Sequence, residues 1–236
     1  MSRTVHLAGD STAGPKSRSA APETGWGMAL PYYLADDVAV ANHARNGRST
    51  RSFVAQGRLD AVARDLRSGD VLVIQFGHND AKVTDPERFT EPWTSYTEHL
   101  VRFVEVARAA GARPVLATSV ERRRFDDAGR AVPAHGEYPD AMRAVAARED
   151  VPLVDVQRDS LALWDDLGPE GTLHHFFHAA DGRRDDTHFN PPGAGAVARL
   201  VATGLLTAGV LAGGEVRRLD EDVPDDWFRW LDDEPA

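Results

Sequence analysis

Cysteine is absent from all 236 residues. Neither a disulfide nor a thiolate metal site can form, so redox compartment leaves no mark on the chain. Long apolar runs are missing too: no stretch approaches the ~20 residues that a transmembrane helix needs, and no membrane partner is expected. Basic residues are outnumbered, with 27 Lys and Arg against 37 Asp and Glu, a formal charge of -10 and a pI near 5.3. That balance works against non-specific nucleic-acid binding, which needs basic surface to neutralise phosphates. Internal repeats, low-complexity tracts and Pro/Gly/Ser-rich linkers are not found. The start, Met1-Ser2-Arg3-Thr4-Val5, runs directly into an apolar segment without the basic, apolar and cleavage-site succession of a secretory signal. The expected location is cytoplasmic, although a trimmed secreted chain would begin alike.

What is present is the composition of a globular enzyme domain, 42% hydrophobic and 27% charged. Short β-like runs at 5–8, 38–41, 71–76, 114–118 and 153–156 alternate with segments of helical composition at 26–34, 59–66, 93–110, 138–148, 159–167 and 193–208. Such alternation marks parallel βαβ units. The run Val71-Leu72-Val73-Ile74-Gln75-Phe76 is almost wholly apolar, as suits a central strand covered on both faces. In the longest helical segment Tyr96, Leu100, Phe103, Val104 and Ala107 recur at three- and four-residue spacing and predict one buried stripe, with Gly111 as its stop. The expected fold is α/β in three layers, an approximately five-stranded parallel sheet with helices on both faces through right-handed crossovers.

Chemistry concentrates where these strands end. Val5-His6-Leu7-Ala8 stops abruptly at Gly9-Asp10-Ser11-Thr12, which presents the Ser11 hydroxyl at the carboxyl end of a strand, where open α/β sheets bind ligands. A Gly-Asp-Ser cluster on its own marks an ordinary turn. Far downstream, Asp185-Asp186-Thr187-His188 offers it partners. A serine hydroxyl is a poor nucleophile at neutral pH and needs an imidazole to take its proton and a carboxylate to orient that imidazole. Ser11, His188 and Asp185 supply these groups, the last two from a single loop or helical turn. Asp186 competes for the acid role, and Asp10 can be read either as that acid or as a turn residue accepting backbone N–H bonds.

Gly9-Asp10-Ser11-Thr12, Asn46-Gly47-Arg48-Ser49, Gly77-His78-Asn79-Asp80 and Asp185-Asp186-Thr187-His188 resemble, in order and at the strand ends, the four blocks of the SGNH hydrolases, the GDSL-like esterases. The resemblance implies a flavodoxin-like SGNH fold, with Ser11 as nucleophile and His188 and Asp185 as base and acid, Asp185 being chosen by the Asp-x-x-His spacing. It also implies an oxyanion hole made by the Ser11 and Gly47 backbone N–H groups and the Asn79 side-chain amide. Such donors matter because acyl transfer places negative charge on the former carbonyl oxygen, and one donor is worth ~3 to 4 kcal/mol. Segments 119–125, 135–138 and 151–155, with His188-Phe189-Asn190, resemble the rhamnogalacturonan acetylesterase branch across most of residues 3–208. That likeness implies a serine esterase removing acetyl groups from acetylated oligosaccharides of the pectin type, without a cofactor.

Several positions have two readings. His78, Arg122, Arg123 and His135 are candidate substrate contacts; His78 fits slightly better as a residue that holds the Asn79 loop, and Arg122-Arg123-Arg124 could offset uronate charge or form a solvated basic loop. His174-His175-Phe176-Phe177-His178, with Asp181 and Asp185 nearby, lacks convergent zinc spacing, so no metal is expected and a sugar-facing wall or a loop folded on the domain fits better. Residues 1–213 read as the catalytic domain. The extension 214–236 is acidic yet carries Trp227, Phe228, Trp230 and Leu231, so it is expected to dock on the domain or on a second subunit. Another SGNH reaction, on lipid, thioester or a different glycan, is the nearer alternative function. A carbohydrate-binding protein without turnover is the farther one.

Overall fold

A computed structural model of the chain describes residues 3–178 and 182–233. Asp181 and the end of the acidic extension, from Glu234, lie outside them. Five parallel strands, β1 (Arg3–Gly9), β2 (Val38–Asn42), β3 (Val71–Gln75), β4 (Arg113–Ala117) and β5 (Leu153–Val154), form one sheet in the order β2-β1-β3-β4-β5. This order reverses between β1 and β3, and open α/β sheets carry their ligand sites in the crevice at such a switch point.

Every residue of β3 is buried. Val71 and Val73 pack with Leu7, Trp26, Val197 and Val201 on one face, whereas Leu72 and Ile74 pack with Phe53, Leu100 and Phe103 on the other. Period-two alternation thus feeds two cores, which explains the uninterrupted apolar run. Helices α1 (Trp26–Ala29), α2 (Thr50–Ala55), α3 (Arg58–Asp65), α4 (Thr97–Ala109), α5 (Tyr138–Arg148), α6 (Val156–Gly171) and α7 (Pro191–Thr207) make the outer layers. The expected stripe on α4 is fully buried at Leu100, Phe103, Val104 and Ala107.

Three local differences from the sequence pattern have physical causes. Helix α2 was hidden because its capping box uses serine twice, Ser49 Oγ accepting from Ser52 N and Ser52 Oγ from Ser49 N, in place of the usual acidic partner. Helix α6 starts at Val156, inside the expected fifth strand, because Asp155 accepts from the Arg158 N–H as its N-cap. The Asp185 block sits neither on a loop nor on a helical turn: β6 (Phe176–His178) and β7 (Arg184–Phe189) form an antiparallel hairpin.

Val216 and Phe228 of the C-terminal segment are buried in the first core, and Trp227 meets Tyr32 edge-on at 5.2 Å. Trp230 Nε1 donates to Glu23 O at 2.9 Å. Leu231 N donates to Lys16 O and Leu231 O accepts from Arg18 N, so the segment adds a short bridge alongside the loop that follows Ser11. Among the described residues no helix is long and apolar enough to cross a membrane.

Candidate active site

At the end of β1 the chain turns sharply, Asp10 O accepting from Ala13 N and Gly14 N, and this turn presents Ser11. Ser11 Oγ lies 2.7 Å from His188 Nε2, and His188 Nδ1 lies 2.7 Å from Asp185 Oδ2. Residues three apart on a regular strand face opposite ways. The hairpin solves this with a register shift: Phe176 pairs with Phe189 but Phe177 pairs with Asp185, leaving residues 186–188 as an inserted bulge. Asp185 Oδ1 accepts from the N–H groups of Thr187 and His188 and closes that bulge. Burial alone would raise the Asp185 pKa. The bond to His188 and the two backbone donors outweigh it and hold the carboxyl well below the usual carboxylate range. An ionised Asp185 accepts a hydrogen bond from the Nδ1–H of His188, leaving Nε2 as acceptor for the serine hydroxyl.

Gly47 stands in the loop after β2 at φ 73°, a left-handed conformation that favours glycine. Asn79 Nδ2 donates one hydrogen to Arg48 O at 3.0 Å, and Arg88 Nη1 donates to Asn79 Oδ1 at 3.4 Å, which fixes the amide's orientation. A second N–H of that amide remains to point elsewhere. Gly77, at φ 149°, lets the chain pass Ser119, whose Oγ would lie 2.3 Å from any added Cβ. Asp80 ties this block to α2: its carboxylate accepts from Thr50 N, Thr50 Oγ1 and Thr90 Oγ1, while Tyr138 OH donates to its carbonyl. Burial raises the Asp80 pKa to about 7 against these stabilising donors.

Sequence reasoning missed Lys16. Its side chain is buried, and Nζ donates to Ser11 O at 2.7 Å and Asn46 Oδ1 at 2.8 Å while pairing with Glu23 Oε1 at 2.7 Å. All three ammonium donors are used, and they join the serine turn to the residue before Gly47. Burial lowers the Lys16 pKa and Glu23 opposes that shift. Gly14-Pro15-Lys16 carries no recognisable motif; the partners lie up to 30 residues away. Asp80 was missed as an anchor although it stands beside Asn79.

The four candidate substrate contacts all have partners within the protein. His78 and His135 are 5% and 2% exposed. Their rings meet edge-on at 4.4 Å, His78 Nδ1 lies 3.1 Å from Asp10 Oδ2, and His135 Nδ1 lies 3.0 Å from Glu121 Oε2. Burial, partly offset by Asp10, lowers the His78 pKa to about 4. Both side chains are buried and turned toward carboxylates within the protein. Asp10 also takes Thr12 N and Oγ1, and its pKa falls to about 2 because His78 and Thr12 outweigh the opposing effect of burial. Arg122 donates to Thr187 Oγ1, and Arg123 is held by Asp186, Thr172 and the Pro169 carbonyl. Asp186 faces Arg123 and His178, not His188. In the histidine-rich segment Phe176 and Phe177 are buried, Phe176 against Trp164 and Phe189, so this segment folds onto the domain.

Residues 7–196 match the model of the GDSL-like Lipase/Acylhydrolase family. The chain is 44% identical over 214 residues to the rhamnogalacturonan acetylesterase RhgT of Bacillus subtilis, covering 87% of this chain and 90% of that one. It is 28% identical to a rhamnogalacturonan acetylesterase of Emericella nidulans, covering 94% and 92%. Among solved structures it resembles YxiM of Bacillus subtilis, with a TM-score of 0.78, 30% identity, and coverage of 89% of this chain and 58% of that longer one.

Proposed function

The chain belongs to the GDSL-like lipase/acylhydrolase family and is a carboxylic ester hydrolase, and from that premise we propose that Ser11, His188 and Asp185 deacetylate rhamnogalacturonan-type oligosaccharides. His188 takes the Ser11 proton as Oγ attacks the acetyl carbonyl. The oxyanion that forms is met by the backbone N–H groups of Ser11 and Gly47 and by the free N–H of Asn79. Collapse of this intermediate expels the sugar hydroxyl, which leaves with the proton from His188, and the acetyl group stays on Ser11. Water, deprotonated by His188, then attacks the acyl-enzyme and releases acetate as Ser11 recovers its proton. Asp185 stabilises the imidazolium through both halves. Lys16 and Asp80 hold the serine turn and the two oxyanion blocks in register.

One observation carries this reading: two consecutive 2.7 Å contacts link Asp185 to His188 and His188 to Ser11. The test of the substrate is acetate release from acetylated rhamnogalacturonan oligosaccharides, with acetylated xylan fragments and a long-chain ester in parallel. Selective release from the first, lost in Ser11→Ala, is expected. Ser11-dependent turnover of only the others would keep the triad and overturn the substrate.

A further inference from the structure

A cavity of about 490 Å³ lies between the Gly47 loop and the C-terminal segment. That volume falls within the ~300 to 1,000 Å³ typical of small-molecule sites. One wall carries Arg45, Asn46 and Arg48, and the other carries Ser19, Asp232 and Asp233. The first wall is continuous with the oxyanion side of the active site. Asn46 and Arg48 flank Gly47, Asn46 accepts from the same Lys16 ammonium that holds Ser11 O, and the Arg48 carbonyl accepts from Asn79.

Positive charge is crowded here, in a chain whose formal charge is -10. Arg45 is exposed, and its guanidinium has no hydrogen bond or ion pair among the described residues. Among the described residues the Arg48 side chain is held only by neutral oxygens, Gln56 Oε1 and Asn46 O, both at 2.8 Å. Burial, and then the charges of Arg58, Arg45 and Arg88, lower its proton affinity. Of these four arginines Arg88 alone has a carboxylate partner among the described residues, Asp85 at 2.6 Å. An anion bound at Arg45 and Arg48 would relieve the mutual repulsion, and a planar carboxylate suits the guanidinium fork. On the facing wall Asp232 pairs with Arg18 at 3.0 Å, and Asp233 accepts from Ser19 N and Oγ. These carboxylates repel an anion yet retain lone pairs for hydroxyl donors. The two walls together suit a molecule with a carboxylate at one edge and hydroxyls at the other.

We propose that this cavity is a subsite for a uronate unit of the substrate, its carboxylate on Arg45 and Arg48 and its hydroxyls toward Asp232 and Asp233. The subsite rests on the oligosaccharide reading above. It assigns to Arg45 and Arg48 the charge recognition that the sequence suggested for Arg122-Arg123-Arg124.

The test compares acetate release from acetylated oligosaccharides bearing free uronates with release from the same oligosaccharides after methyl esterification. Wild-type protein, Arg45→Gln and Arg45→Gln/Arg48→Gln are assayed at low and high salt. The wild type is expected to favour the free acid about tenfold in kcat/KM, mainly through KM, as for a hydrogen bond to a charged group. Salt and Arg45→Gln are each expected to bring that ratio toward one. A wild-type ratio near one, or a ratio unmoved by Arg45→Gln, would overturn the subsite while leaving the substrate class standing. No turnover of either form, beside Ser11-dependent hydrolysis of p-nitrophenyl acetate, would overturn the substrate reading and the subsite with it.

Discussion

Two histidine–carboxylate pairs stand beside Ser11, alike in pairing and opposite in surroundings. His188 and Asp185 meet at 2.7 Å with side chains 25% and 36% exposed, whereas His78 and Asp10 meet at 3.1 Å with side chains 4% and 0% exposed. Each imidazole turns Nδ1 to its carboxylate. The difference lies at the other nitrogen: His188 Nε2 reaches a hydroxyl, and His78 Nε2 has no hydrogen-bond partner among the described residues. Burial also lowers the His78 pKa to about 4, so it is neutral near pH 7. In the proposed mechanism the second nitrogen's neighbour, together with access for substrate and water, makes a base of one pair and leaves the other as a brace.

The sharpest way to break this comparison is to remove the members that touch the reacting atoms. Ser11→Ala and His188→Ala are each expected to lower kcat by on the order of 10⁶ with the fold retained, which circular dichroism and steady-state acetate release would check. Asp185→Asn removes the tautomer lock while keeping the shape, and is expected to cost about 10⁴ in kcat. Lys16→Met keeps length and apolar volume but frees the Ser11 carbonyl from Asn46. A loss on the order of 10²-fold in kcat, with KM little changed, would follow from misplacing the serine against its oxyanion donors. An equal loss in KM alone would show that Lys16 does not position the chemistry.

His78→Phe addresses the buried pair. It removes a hydrogen bond to a charged, buried carboxylate and is expected to cost about 2 to 3 kcal/mol of stability in urea denaturation. Its pH signature has a definite sign. The folded His78 pKa, about 4, lies below the ordinary 6.5, and that of Asp10, about 2, lies below 3.8. Both contributions are therefore fully present above the unfolded values and are lost on acidification, from pH 6.5 down through about 4 for His78 and from 3.8 down through about 2 for Asp10. His78→Phe should flatten the first of these losses in urea midpoints measured across that range. Smallest of all, Asp186→Ala is expected to change kcat/KM by less than about threefold, because Asp186 holds Arg123 and His178 rather than the base.

The sheet was legible because β3 must bury both faces and α4 only one stripe, and these requirements print two different periods on the chain. The ends of β1, β2 and β3 were legible for the same reason, and with them the place of Ser11 after β1, whereas Gly47 and Asn79 were singled out only by the resemblance of their blocks to those of the SGNH hydrolases. The Asp185 block was readable as spacing but not as structure. Its bulge depends on pairing with Phe176 and Phe177, and no local pattern encodes a register shift. Lys16 and Asp80 acquire meaning only from partners brought close by the fold. For His78 the sequence left two readings open, substrate contact and loop support, and for His135 it gave no partner, because histidine has the same polarity in sequence whether it faces water or a buried carboxylate. In the C-terminal segment Trp227 and Trp230 meet Tyr32 and the Glu23 carbonyl, contacts whose partners no local pattern names.

The central claim, that Ser11 is the nucleophile activated by His188, is tested most directly by covalent capture. The protein would be treated with an alkyl phosphonate ester and the adduct located by peptide mass spectrometry, in wild type and in His188→Ala. A single adduct on Ser11, with parallel loss of acetate release and slow labelling in His188→Ala, is the expected result. Complete inactivation with the adduct on another residue, or full acetate release from a protein labelled at Ser11, would contradict the account.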